Sequence, residues 1–267
     1  YIPVNVENGL GEKEVMEVIR PLFEQPDTTI IAHNYKFDYL MLLRAGLEIK
    51  GRPFDTMIAA YLIDANQRLN MDELAKSLLN YKPVPIENLI GKGRKQISMA
   101  DLKPEEVYLY ACEDTDITLR LYEILNKRLK EDELEEIAYT VDYPLMEVLA
   151  DMEFKGVKLD TEMLSEFSKE LETDLRKLEK QIYEKAGEEF NINSPQQLGT
   201  ILFEKLELPA GKKTKTGQYS TAESVLTKLA ARYEIPSLIL DYRQLTKLKS
   251  TYVDALPDLI NPDTGRI

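Results

Sequence analysis

The chain has 267 residues, is 43% hydrophobic, carries a formal net charge of −13 and holds one cysteine, Cys112. That length allows two domains, the hydrophobic share excludes a disordered chain, and one cysteine excludes an internal disulfide framework or a thiolate zinc site. No apolar run approaches a membrane span, no signal-peptide pattern opens the sequence, and the start at Tyr1 rather than Met reads as a piece of something longer.

Along the chain, Val15, Met16, Ile19 and Phe23 stand at helical spacing within residues 11–24, which predicts an amphipathic helix. Thr28 to Ala32 is a short β-branched run and reads as a buried strand. His33 and Asn34 follow it, and Phe37, Leu40, Met41 and Arg44 then predict a helix stopped by Gly46. Asp38 falls in the first turn of that helix, at a strand end, where open α/β sheets build their sites. Phe54-Asp55-Thr56 predicts the start of another helix with Asp55 as N-cap, and Asn70-Met-Asp-Glu73 reads as a capping box. Residues 81–99 hold prolines, glycines and a small basic cluster, Lys92, Arg94 and Lys95, and read as a loop. Pro104 suits a first helical turn. Val107, Tyr110, Asp114, Ile117, Leu121 and Leu125 then form one stripe.

The hydrophilic stretch 131–136 marks the expected domain boundary, giving domains 1–132 and 133–267. Beyond it, residues 144–154 predict a helix ended by Gly156. A long helix follows, capped by Asp160 or Thr161, with Leu164, Phe167, Leu171, Leu175, Leu178 and Ile182 on its stripe. Ser194-Pro195-Gln-Gln197 and Ser220-Thr-Ala-Glu223 read as capping boxes. A last helix from about residue 237 carries Leu238, Tyr242, Leu245, Leu248, Tyr252 and Leu256. Two long amphipathic helices separated by short ones predict an antiparallel pair with small helices at its tip.

Charge is uneven along the chain. Residues 133–204 hold 7 Lys+Arg against 18 Asp+Glu, whereas 205–249 hold 9 against 4. The overall acidity argues against nucleic acid, but one basic segment on an acidic chain is the pattern expected of a single face that meets a polyanion. Lys212, Lys213 and Lys215 in a Gly/Thr-rich turn are either a solvated loop or contacts to phosphates.

Two constellations could carry chemistry. In Asn34-Tyr-Lys-Phe-Asp38, a carboxylate just inside a helix can bind a hard cation or simply balance the helix dipole. In Tyr110-Ala-Cys-Glu-Asp114, a phenol and a carboxylate share one helix face. The acid could hold a divalent ion while the hydroxyl orients a water. Either motif alone is weak. Glu113 and Asp116 point elsewhere and read as surface charges. His33 reads as structural or substrate-lining, because carboxylates suit magnesium better. Cys112 reads as core filler.

Together, Asn34-x-x-x-Asp38 and Tyr110-x-x-x-Asp114 resemble the second and third motifs of the DEDDy 3′–5′ exonucleases. Phe54-Asp-Thr-Met57, Gly91-Lys-Gly93 and Ala111-Cys-Glu-Asp114-Thr-Asp116-Ile-Thr-Leu119 resemble the proofreading domain of the bacterial family A DNA polymerases. Phe190-Asn-Ile-Asn-Ser-Pro195-Gln-Gln-Leu198, Ser220-Thr-Ala-Glu223 and the stretch Tyr242 to Tyr252 are similar to that family's thumb, and Asn261-Pro-Asp-Thr-Gly-Arg266 to the start of its palm.

The resemblance implies an α/β ribonuclease H-like exonuclease domain lacking its first strands, followed by an all-α thumb with a long antiparallel helix pair. It implies two Mg2+ or Mn2+ ions in the intact parent, Asp114 as a direct ligand, Asp38 holding the second ion through water, Tyr110 orienting the attacking water, and Asn34 positioning site or strand. It implies DNA as partner: a single-stranded 3′ end at the exonuclease site and primer-template duplex at the thumb. There Lys212, Lys213, Lys215, Ser194, Thr216, Ser220, Lys247 and Lys249 would meet the backbone. A cytoplasmic monomer away from membranes is implied as well. The family's first motif, Asp-x-Glu, is missing from residues 1–267, and Asp55 imitates it only in part. The expectation is therefore a fragment without hydrolytic activity of its own. An inactive exonuclease domain kept as a spacer, and a stand-alone DEDDy nuclease, are the alternatives.

Overall fold

The structure is a computed structural model that describes residues 1–4, 6, 9–209 and 217–267. Its chain divides into two compact units, Tyr1–Lys155 and Gly156–Ile267.

In the first unit, helix α1 (Glu12–Phe23) precedes strand β1 (Thr29–Ala32), helix α2 (Tyr35–Arg44), strand β2 (Arg52–Asp55) and helix α3 (Thr56–Ile63). The two strands pair in parallel, with Thr29 opposite Arg52 and Ala32 opposite Asp55. Strand β2 has no counterpart in the sequence reading. Pro53 cannot donate to a ladder and argues locally against a strand; pairing with β1 overrides that preference. Parallel pairing brings both strands to an end at the same edge, so α2 and α3 start side by side there.

Helix α4 (Met71–Leu79) begins at Asn70, whose side chain accepts from the Glu73 N–H at 2.9 Å. The expected loop 81–99 contains a short helix α5 (Glu87–Ile90) and two 3-10 turns. The long helix α6 (Pro104–Glu131) has proline in its first turn and buries Val107, Ile117, Leu121, Leu125 and Leu129. That stripe packs on α3 and α4 with Phe54, Ala59 and Leu74. Burying such side chains contributes roughly 1.5–3 kcal/mol each before entropy is counted. After α7 (Glu135–Ile137) a π turn leads into α8 (Tyr143–Lys155). Tyr143 lies against Phe54, and Met146 joins Tyr35, Leu47 and Ile49. These contacts place 133–155 with the first unit, not with the second as the hydrophilic boundary suggested. The acidic run 131–136 is a surface turn inside the unit, because a turn needs polar residues whether or not a domain ends there.

Among the described residues, the regular elements of the second unit are helices, with one isolated antiparallel bridge between Asn261 and Arg266. Asp160 accepts from Met163 N–H and caps α9 (Thr161–Ala186). Then come α10 (Pro195–Thr200), α11 (Glu223–Ala230) and α12 (Glu234–Lys247), the last extended by a π turn to Val253. α9 and α12 run antiparallel: Lys185 bonds Glu234 at one end (2.6 Å) and Ser168 bonds Asp254 at the other (2.7 Å). Ile182, Leu198, Leu202, Leu226 and Ile239 fill the core between them. α12 starts three residues earlier than expected, with Pro236 inside its first turn. The Ser220 capping box does not form. Ala222 is the N-cap of α11, and the Ser220 hydroxyl accepts from Ala222 N–H at 3.5 Å.

Candidate nuclease site

The geometry begins at Asp55. As expected it caps α3, accepting from Met57 N–H (2.8 Å) and Ile58 N–H (3.4 Å). It also accepts from the N–H groups of Asn34 (3.1 Å) and Tyr35 (2.9 Å), at the start of α2. One buried carboxylate therefore serves two helix N-termini, satisfying donors that have no partner within their own helices. Burial raises its pKa, and the N–H groups of Met57, Tyr35 and Asn34 and the nearby His33 oppose that rise. Asn34 takes the left-handed conformation, φ 64°, which Asn tolerates better than most residues. The sequence showed Asp55 only as a local cap, because its second set of donors is 20 and 21 residues away.

Asp38 sits one turn into α2. It lines a cavity of about 450 Å³ with Ile31, His33, Met71, Asp114, Thr115, Thr118 and Leu119. Two carboxylates from distant segments, Asp38 and Asp114, thus open onto one space. Asp38 has an exposed side, and the protein packed around the rest of it raises its pKa, with the Asp55 charge adding to the rise. Asp114 is pushed up to about 6 by desolvation, and the charges of Glu113 and Asp72 push the same way. Its contact with Tyr110 opposes the shift. Tyr110 is raised to about 12, first by desolvation and then by Asp114.

Tyr110 touches Asp114 but lines a neighbouring cavity of about 650 Å³ with Tyr81, Val84, Leu89 and Glu113. Glu113 is no idle surface charge. It accepts from the Tyr81 hydroxyl (2.6 Å) and from Val84 N–H (2.9 Å), tying the 81–84 segment to α6 beside Tyr110. Arg120 lies over the Tyr81 ring, 5.6 Å from its centre. His33 bonds the Thr56 hydroxyl at 2.9 Å, and burial lowers its pKa, consistent with a structural and cavity-lining place. Cys112, expected in the core, is exposed, because the buried face of α6 runs through Ile117 and Leu121 instead.

The donor chemistry suits a hard divalent cation: two carboxylate oxygens, each crowded by other negative charge. Among the described residues, however, no three His, Cys, Asp or Glu side chains converge to hold a metal ion.

In the second unit, Ser194 caps α10 by accepting from Gln197 N–H at 3.4 Å. Lys247 is exposed. Lys249 is engaged by Asp254 at 2.7 Å, and Asp254 also accepts from Ser168. Lys212, Lys213, Lys215 and Thr216 lie outside the described residues.

Comparison with known proteins accounts for both units. Residues 1–130 match the family described as 3′-5′ exonuclease, and residues 161–267 match DNA polymerase family A. A DNA polymerase I of Chloroflexus aurantiacus is 44% identical over 100% of this chain and 29% of its own length. Those of Rhizobium leguminosarum and Pseudomonas aeruginosa are each 40% identical over 100% of this chain, covering 28% and 30% of theirs. The chain thus spans less than a third of the curated relatives it matches. Among solved structures, the POL domain of Pol1 from M. smegmatis, in complex with DNA primer-template and dNTP, aligns with TM-score 0.72 and 28% identity, over 98% of this chain and 42% of that one. The chain is thus similar to 3′-5′ exonuclease over residues 1–130 and to DNA polymerase family A over residues 161–267, and the relatives named here are each a DNA polymerase I.

Proposed function

We propose that this chain is part of a DNA-directed DNA polymerase I. Its first unit contributes to 3′-5′ proofreading hydrolysis and its second grips duplex DNA as a thumb. The observation that carries the first half is the meeting of Asp38 and Asp114 at one cavity, with Tyr110 in contact with Asp114. Asp114 and Asp38 would hold divalent magnesium or manganese, which when bound activates water and stabilises the leaving 3′ oxygen. The residues of this chain do the positioning. Asp55 sets the start of α2 and hence Asp38. Tyr110 keeps its proton far above neutral pH, so its hydroxyl can donate to or orient a water beside Asp114. Asn34 would help position the site or the substrate strand. Two carboxylates are too few for a complete two-ion site, so residues 1–267 alone are expected to be inactive.

For the thumb, DNA contact falls to the basic segment 205–249, including Lys212, Lys213, Lys215 and Lys247, with Ser194 and Ser220 nearby in sequence order. Lys249 contributes less, because Asp254 already holds its charge. Backbone contacts of this kind bind any sequence.

Two measurements test the reading. In a full-length polymerase carrying this chain, Asp114→Ala should lower 3′ hydrolysis at least a hundredfold and leave primer extension intact; unchanged hydrolysis overturns the exonuclease half. In the 267-residue chain, replacing Lys212, Lys213 and Lys215 by Ala should reduce the salt dependence of duplex binding by up to about 0.9 per lost phosphate contact in log–log slope. No change in slope or affinity overturns the thumb half.

A further inference from the structure

Glu113 spends both of its carboxylate oxygens on one segment of chain. Oε1 accepts from the Tyr81 hydroxyl at 2.6 Å, and Oε2 accepts from Val84 N–H at 2.9 Å. The segment it holds is stiff. Val84 stands between Pro83 and Pro85, and each proline fixes its own φ and keeps the residue before it extended. Neither proline has an N–H, so Val84 carries the one backbone donor of residues 83–85, and Glu113 takes it. Tyr81 is fastened at two further points. Its own N–H donates to the Ala75 carbonyl at 3.1 Å. Arg120, which also reaches Asp116 at 3.5 Å, lies over its ring.

This lock faces Tyr110. Tyr110 and Glu113, three residues apart on α6, line the cavity of about 650 Å³ together with Tyr81, Val84 and Leu89 from the tethered side. Neither of the two belongs to the buried stripe of α6, which runs through Val107, Ile117, Leu121, Leu125 and Leu129. Core packing therefore leaves the Tyr110 ring free to swing. Asp114 lies on the same helix and holds the hydroxyl from one side only. What limits the ring on its other side is the wall across the cavity, and Glu113 fixes where that wall stands.

We infer that Glu113 is a positioning residue for the proposed hydrolysis: through Tyr81 and Val84 it sets the wall facing the Tyr110 ring, and so the direction of the Tyr110 hydroxyl beside Asp114. This deepens, and rests on, the reading of the first unit as a 3′-5′ exonuclease.

The test measures steady-state 3′ hydrolysis of a single-stranded oligonucleotide by a full-length polymerase carrying this chain. E113A should lower kcat about tenfold and leave KM within about twofold, because misdirecting a group that acts on the water spares substrate binding. Y81F keeps the ring and removes one donor, so it should lower kcat by a smaller factor; it carries the test if E113A does not fold. E123A, on an exposed position of the same helix, should change neither constant. The deciding comparison is made in a Y110F background. If Glu113 acts through the phenol hydroxyl, E113A/Y110F is no slower than Y110F alone. A second readout uses the 267-residue chain without activity. NMR relaxation of the Tyr110 ring carbons, assigned by their loss in Y110F, should report a more mobile ring in E113A and Y81F and an unchanged one in E123A. An unchanged kcat in folded E113A, an equal loss in the Y110F background, a change confined to KM, or an unaltered Tyr110 ring would each overturn the proposal. D114A separates the two readings. Hydrolysis that D114A leaves intact overturns the exonuclease reading and the positioning role with it. Hydrolysis lost in D114A but kept at the wild-type rate in E113A overturns the positioning role alone.

Discussion

The carboxylate of Asp55 accepts the backbone N–H of Tyr35 at 2.9 Å, joining the end of β2 to the start of α2. This bond links the two helix N-termini at the sheet edge, and it places Asp38, three residues after Tyr35, over the cavity it shares with Asp114.

Asp55→Ala should therefore cost more than the loss of an ordinary cap. A cap is worth about 1 kcal/mol, and leaving buried N–H groups unpaired adds about 1–3 kcal/mol. Denaturant unfolding of the first unit should show a loss of about 3 kcal/mol. Asp55→Asn should fall between, since an amide nitrogen cannot accept from Tyr35. A loss below 1 kcal/mol for the alanine variant would show that the double cap does not hold the edge.

Asp114 gives a pH dependence. Its folded pKa of about 6 stands above the unfolded value of about 3.9. The stability linked to its protonation is thus fully present below about pH 4 and is lost as pH rises through 6. Asp114→Asn should flatten that part of the profile and stabilise the unit at pH 7 by about 1 kcal/mol, a figure reduced for its half-open position. Thermal melts at pH 4 to 8 read this directly. A wild-type profile that gains stability across that window would reverse the sign.

Glu113 should govern the 81–84 segment. With Glu113→Gln, the Tyr81 and Val84 donors lose a charged acceptor. Amide exchange at Val84 should quicken by up to about tenfold, the equivalent of one hydrogen bond. Unchanged exchange at Val84 would remove the tether.

The 267-residue chain should show no robust 3′ degradation of single-stranded DNA with magnesium or manganese. Asp38 and Asp114 are two carboxylates where a two-ion site needs more. Robust degradation that Asp114→Ala abolishes would mean that another donor completes the site.

Core truncations should separate packing from site effects. Leu121 and Ile182 are wholly buried, one in each unit. Replacing either with Ala should cost about 2–5 kcal/mol, seen as a lower denaturation midpoint of the unit concerned.

Local features were legible in the residues alone. The strand at 29–32, the stripe of α6 from Val107 to Leu125, the caps at Asn70, Asp160 and Ser194, and the antiparallel pair α9 and α12 all depend on periodicity and short-range hydrogen bonds. So does the adjacency of Tyr110 and Asp114, one helical turn apart. Other features needed the chain folded. Strand β2 exists because β1 pairs with it, against the local preference of Pro53. Residues 133–155 belong with the first unit because Tyr143 and Met146 find Phe54 and Tyr35. Asp55 has a second set of donors because parallel strands end together, and Asp38 meets Asp114 at one cavity because α6 packs on β1, α3 and α4. Periodicity carries information over a few residues. Which carboxylates share a space is decided by contacts between segments many residues apart, and tertiary packing alone sets those.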